Sequence, residues 1–135
     1  MDGRLQQSIS DPQFQIGSKL PLCHNLIMFI KSVAGLAQFN PEKMGKSDVV
    51  MGASLFAGLN CFEPGQEHSL HSHAGQDKLY FIIEGSATVT IGSEEQSLSA
   101  GDAAFAASGV PHGIKNRGPA RLVVMAVLAP PPATK

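Results

Sequence analysis

An all-β fold, closed or sandwiched in the manner of a jelly roll, is what this sequence predicts, and three observations predict it. Fourteen glycines and nine prolines fall mostly between short apolar or alternating runs, the punctuation of a chain made of many short strands. Helix signals are scarce. Strand-like runs follow one another without helices between them, which favours closure into a barrel or sandwich whose mouth can house a ligand. A length of 135 residues at 43% hydrophobic composition suits one domain with a single core.

Taken in order, residues 1–43 read as an N-terminal arm and residues 44–135 as the domain proper. Residues 1–20 carry little pattern, residues 26–30 are apolar enough to add an edge strand, and residues 33–39 read as a helical turn stopped before Pro41. Residues 47–51 and 54–62 read as strands. Residues 79–83 and 87–91 flank Glu84, Gly85 and Ser86 as a hairpin of two core strands. Residues 94–98 return toward Gly101 and Asp102. Residues 103–106 form a short strand that ends in the turn at 108–111, and residues 121–128 form a long β-rich run that Pro130, Pro131 and Pro132 stop. There is no convincing internal repeat and no interdomain linker.

Charge and cysteine usage narrow the function classes. The net charge is -1, and the 10 Lys+Arg are spread along the chain, so the electrostatic footprint of a nucleic-acid binder is missing and no nucleic-acid partner is expected. Cys23 and Cys61 fit neither a C-x-x-C motif nor a disulfide framework and read as buried small hydrophobes. The N-terminus has no apolar signal segment, and the longest apolar run, residues 122–129, falls short of the roughly 18 residues that a membrane span needs. A soluble, cytoplasmic protein without a membrane partner is the expectation.

The chemistry sits in the histidines. Successive side chains on an extended strand point to opposite faces, so His71 and His73 aim two imidazoles at the same side. His112, after Pro111, would complete a facial set. Three imidazoles converging from two strands can hold a divalent transition metal and leave coordination positions open for water or substrate. His68 reads as a surface loop residue, and His24 has no partner in the pattern.

With Gly65, His71, His73, Gly85, Gly101, His112 and Asn116 placed, the chain resembles a small single-domain cupin. The first family motif, G-x5-H-x-H-x(3,4)-E-x6-G, is matched from Gly65 to Gly85 except at the glutamate. The second, G-x5-P-x-G-x2-H-x3-N, is matched by Gly101 and by residues 109–116, with Ala107 where the family usually has proline. The resemblance covers roughly residues 44 to 129. It implies a cupin-type jelly-roll barrel, the double-stranded β-helix, with a metal held by the motif histidines and frequent dimerisation. A homodimer through edge strands is therefore expected. Imidazole ligands suit iron, nickel, copper and zinc alike, and the family tolerates manganese too, so the metal is expected only as a divalent transition ion.

The missing glutamate is the departure that matters. Leaving six residues between it and Gly85 puts Lys78 at the carboxylate position, while leaving three residues after His73 puts Asp77 there. The downstream count crosses an uninterrupted strand and favours Lys78. An ammonium about 5 Å from a divalent cation would be repelled by roughly 6 kcal/mol at an effective dielectric of about 20. Three outcomes are open: Lys78 turns outward to pair with Glu84 or Glu94, it loses its proton, or the metal site is empty. Asp77 could swing in as a fourth ligand, or it could cap a backbone amide.

Around this centre, Gln76, Lys78 and Tyr80 are the candidate substrate-binding residues. Gln76 sits at the edge of the site, and Tyr80 shares the strand face of Lys78, where its hydroxyl could orient substrate or donate a proton. Asn116 reads as a backbone anchor. Cupins include dioxygenases, isomerases, decarboxylases, cyclases and non-catalytic binders, and a fold does not choose among them. The first reading is a metal-dependent enzyme, such as an oxygenase or isomerase, acting on a small organic molecule. The alternative is a non-catalytic small-molecule binding or sensor module with an empty or degenerate metal site.

Overall fold

The computed structural model describes residues 27–133. Nine strands form two antiparallel sheets: β1 (Gly45–Met51), β2 (Phe56–Phe62), β3 (Glu67–His71), β4 (Asp77–Glu84), β5 (Ser86–Ile91), β6 (Glu94–Ser99), β7 (Ala103–Ala106), β8 (His112–Lys115) and β9 (Leu122–Ala129). The five-stranded sheet runs β1-β2-β9-β4-β7, and the four-stranded sheet runs β3-β8-β5-β6. This is the jelly roll that the spacing of strands predicted, in the cupin form that the resemblance implied. The hairpin β4–β5 turns at Gly85, whose φ of 87° suits glycine. A Cβ there would run into the Arg121 carbonyl, with Leu122 Cα 3.1 Å away.

Alternation along the strands decides what each sheet buries. On β4, Lys78, Tyr80 and Ile82 are buried while Asp77, Leu79 and Glu84 are exposed or partly so. Tyr80 and Ile82 join Phe62, Val89, Ile114, Leu122 and Val124 in a cluster fed from both sheets, so the principal core lies between them. β2 is buried almost throughout because its other face is covered too. Val49, Leu59, Cys61 and Val123 make a second cluster there, with Ile30, Val33, Leu36 and Phe39 packed on it. The buried, free Cys61 matches its reading as a small hydrophobe; Cys23 lies outside the described residues.

The segment before β1 departs from expectation. Residues 27–30 form no strand, and residue 26 lies outside the described residues, as do residues 1–20 and His24. The helical turn is a single 3-10 turn at Val33–Leu36. Its apolar side chains, with Ile30, cover the outer face of β2 and β9, whereas Ile27 and Phe29 of the expected edge strand are exposed. Among the described residues, no helix is long and apolar enough to cross a membrane.

Candidate metal centre

His71 closes β3, His73 follows two residues on, and His112 opens β8 directly opposite His71 in the antiparallel ladder. One strand pairing therefore gathers all three imidazoles. Ring centroids are 4.8 Å apart for His71 and His73, 4.4 Å for His71 and His112, and 5.4 Å for His73 and His112. One ligating atom from each ring lies within 4.8 Å of the other two. Two nitrogens bound to one ion at about 2.0–2.1 Å stand at most roughly 4.2 Å apart. The set thus needs only small closing movements to share an ion.

Hydrogen bonding fixes how two of the rings present themselves. Nδ1 of His71 lies 2.6 Å from the Ser69 carbonyl oxygen, and Nδ1 of His112 lies 2.9 Å from that of Val110. A carbonyl oxygen only accepts, so Nδ1 carries the proton in both rings and Nε2 keeps its lone pair. Both Nε2 atoms are buried and have no partner among the described residues. Converging lone pairs without partners are what a bound cation satisfies, and backbone carbonyls behind them hold the rings in place. Burial first, and then the charge of Lys78 and the neighbouring imidazoles, holds His112 down to about 4 against the opposing pull of the Val110 carbonyl. His71 and His73 are lowered too, chiefly by burial. Neutral imidazole is the form that binds metal.

A fourth imidazole joins this group, which the sequence pattern did not reveal. In the β3–β8 ladder His68 pairs with Ile114 and His71 with His112, so three steps on β3 oppose two on β8. The extra residue is a β-bulge, and it inverts the alternation of faces. His68 consequently turns to the cavity side, its ring centroid 4.2 Å from that of His71 and its Nδ1 buried without a partner. Burial, followed by the charges of His71, Lys78 and Lys46, pushes it down to about 3. The surface-loop reading of His68 is corrected accordingly. Gly113 on β8 accommodates the bulge, for a Cβ there would sit 3.1 Å from the Leu70 nitrogen and 3.2 Å from the His68 oxygen.

The imidazoles of His68, His71 and His73 open onto a cavity of about 800 Å³, whose wall also includes Lys46, Asn60, Gln76, Lys78 and Pro130–Pro132. Lys78 is 4% exposed and faces inward. Its Nζ stands 4.9 Å from the centroid of the Tyr80 ring. Of the ion pairs found among the described residues, none involves Lys78. Burial first, then the like charge of Lys46, lowers its ammonium from 10.5 to about 8.

Residues 58–128 match the cupin domain family, a span that contains every one of these histidines and Lys78. The chain belongs to the cupin family. Among its curated relatives, the oxalate-binding protein of Thermotoga maritima is 34% identical over 108 residues, covering 68% of this chain and 88% of that protein. The tetracenomycin polyketide synthase protein TcmJ of Streptomyces glaucescens is 40% identical over 86 residues, which is 62% of this chain but only 58% of the length of TcmJ. The solved structure of TT1209 from Thermus thermophilus superposes with a TM-score of 0.74 at 41% identity, over 78% of this cupin and all of that chain (100%).

The remaining positions of the cupin motifs take distinct places. Asp77 is exposed, and its Oδ1 accepts the Ser108 amide hydrogen at 3.0 Å. It caps a backbone amide in the turn after β7, outside the three-imidazole set, which is the second of its two expected roles. Gln76 lines the cavity and donates from Nε2 to the Pro130 carbonyl at 2.9 Å. Tyr80 is wholly buried in the core, its ring centroid 6.0 Å from that of His112 and its hydroxyl without a partner among the described residues. Burial raises that hydroxyl, so it stays protonated at neutral pH. Asn116 donates from Nδ2 to the Phe62 and Ala120 carbonyls and accepts from the Gly118 amide, a backbone anchor as expected.

Proposed function

We propose that this cupin is a metal-dependent enzyme, an oxygenase or isomerase, acting on a small organic molecule that enters the cavity beside His71, His73 and His112. The observation that carries the reading is the pair of buried, unpartnered Nε2 atoms on His71 and His112, each fixed by a carbonyl behind its Nδ1. A divalent ion held by the three histidines would polarise a carbonyl or enolate oxygen or support dioxygen chemistry. The chain's own groups do the rest: Lys78 and Lys46 make the wall positive, Gln76 and the proline rim border the entrance, and Tyr80 supports the ring of His112 from the core. The positive wall favours an anionic substrate, and the Thermotoga maritima relative, an oxalate-binding protein, is in line with that.

Elemental analysis tests the metal directly. The wild-type protein should carry close to stoichiometric divalent metal, and the double variant His71→Ala, His112→Ala should carry none; equal metal content in the two proteins would end the proposal. A second reading, a non-catalytic binding module, draws on the lysine at the motif's carboxylate position, which leaves the wall short of acid–base groups. It predicts thermal stabilisation by a bound ligand with no product on chromatography.

The proposal includes a homodimer. Leu79 and Phe105 are cross-strand partners at the β7 edge of the larger sheet, 38% and 55% exposed. Sedimentation showing only a 14.2 kDa species would contradict it.

A further inference from the structure

We propose that the ligand itself supplies the carboxylate that the first cupin motif lacks, so that the metal and a small organic anion bind as one unit between the three imidazoles and Lys78. The inference rests on the metal reading above and deepens it. Seven residues before Gly85, where the motif calls for a glutamate, Lys78 points into the cavity from β4 and is 4% exposed. A buried ammonium without a counter-ion is costly, and none of the ion pairs among the described residues relieves this one. The wall adds Lys46, and Asp48 is the one carboxylate residue on it among the described residues.

His68 does not fill the vacant ligand role, because the set of mutually close ligating atoms comprises His71, His73 and His112 alone among the described residues. Asp77 does not fill it either, being engaged with the Ser108 amide. Placing a divalent cation against three neutral imidazoles and an ammonium adds positive charge to a wall where Asp48 alone among the described residues opposes Lys46 and Lys78. An anion that reaches both the ion and Lys78 removes the repulsion between them. Each partner then raises the affinity for the other by the same factor, as linkage requires.

The test is a Co(II) titration of protein stripped with EDTA, followed by the visible absorption of the bound ion, in sodium acetate and in sodium perchlorate at equal ionic strength. Acetate is the probe anion. The apparent Co(II) affinity of the wild type should rise about tenfold in acetate, within the usual range of coupling between sites. Lys78→Met should bind Co(II) equally in both salts. Lys78→Glu, which restores a protein carboxylate, should bind tightly in perchlorate and gain nothing from acetate. Equal wild-type affinity in the two salts overturns the inference and leaves the metal reading standing. The same acetate gain in Lys78→Met also overturns it, since the anion is then anchored elsewhere. Absence of Co(II) uptake in either salt overturns both.

Discussion

The ring centroids of His68 and His71 lie 4.2 Å apart although three residues of sequence should send them to opposite faces of β3. The bulge that reconciles the two adds one residue on β3 between the pairs His68–Ile114 and His71–His112. It has an electrostatic consequence. Three imidazoles and an ammonium line one cavity with the buried His112 ring beside them, and each of the four imidazoles is lowered first by burial and also by the charge of Lys78. The centre is built to keep its histidines neutral.

Metal-free protein should therefore be sensitive to acid. Because the folded-state pKa of each histidine lies below its ordinary value of 6.5, the unfolded chain binds more protons in the interval between the two. Their contribution to stability is complete above 6.5 and is lost as pH falls toward about 4 for His112 and about 3 for His68. Urea midpoints of EDTA-treated protein should be level above neutrality and decline steadily below it, with a shallower decline for His68→Asn. A midpoint that stays constant between about pH 7 and about pH 4 would refute the neutral-imidazole account.

Gly113→Ala should disturb the site without touching a ligand. The new methyl would press on the Leu70 nitrogen at 3.1 Å and the His68 carbonyl oxygen at 3.2 Å, both of them backbone atoms that yield only if the bulge moves. The expected cost is about 1–2 kcal/mol of stability, in the ordinary range for a strained backbone contact. Metal affinity should fall as His71 and His112, paired across this ladder, lose register. Chelator competition measures it, and wild-type affinity in the variant would show that the bulge does not position His71.

Much of this is legible in residue order, and the exceptions share a cause. The β4–β5 hairpin, the buried β9 run and the meeting of His71, His73 and His112 follow from local rules of alternation and turn chemistry. His68 escapes those rules because a bulge leaves no mark in a single sequence, and one inserted residue reverses every facing assignment before it. Counting back from Gly85 places Lys78 at the carboxylate position even though the pairing of β4 with β9 shifts register between Ile82 and Glu84, but whether it faces in depends on partners. Among the described residues no ion pair forms with Lys78 to draw it outward. The run at residues 26–30 looks like a strand because a short apolar run does not say what it packs against, and Ile30 packs on the core while Ile27 and Phe29 are exposed.

Asp77→Ala should leave metal content unchanged. Its carboxylate holds the Ser108 amide, so truncation removes a charge-assisted hydrogen bond between the start of β4 and the turn at 107–110. Exposure to solvent limits the loss to about 1 kcal/mol of stability. Elemental analysis of the variant beside a thermal melt separates the two roles: depleted metal would mean that Asp77 swings in as a ligand after all.

Lys78→Met should stabilise the metal-free protein at neutral pH. The ammonium, lowered from 10.5 to about 8, is disfavoured in the folded state relative to the unfolded one. Converted at the usual rate per pH unit, its removal is worth on the order of 3 kcal/mol below pH 8. Methionine fills nearly the same length without a charge, so packing against Tyr80 is kept. The sign of the pH dependence follows from the depressed value. Wild-type stability is fully recovered above 10.5, where both states are deprotonated, and is lost as pH falls through about 8. Urea titrations of wild type and variant at about pH 7 and about pH 10 should show a wide gap that narrows at the higher value. A variant no more stable than wild type at neutral pH would mean that the Lys78 ammonium is already compensated, and with it would go the unpaired positive charge on which anion recruitment depends.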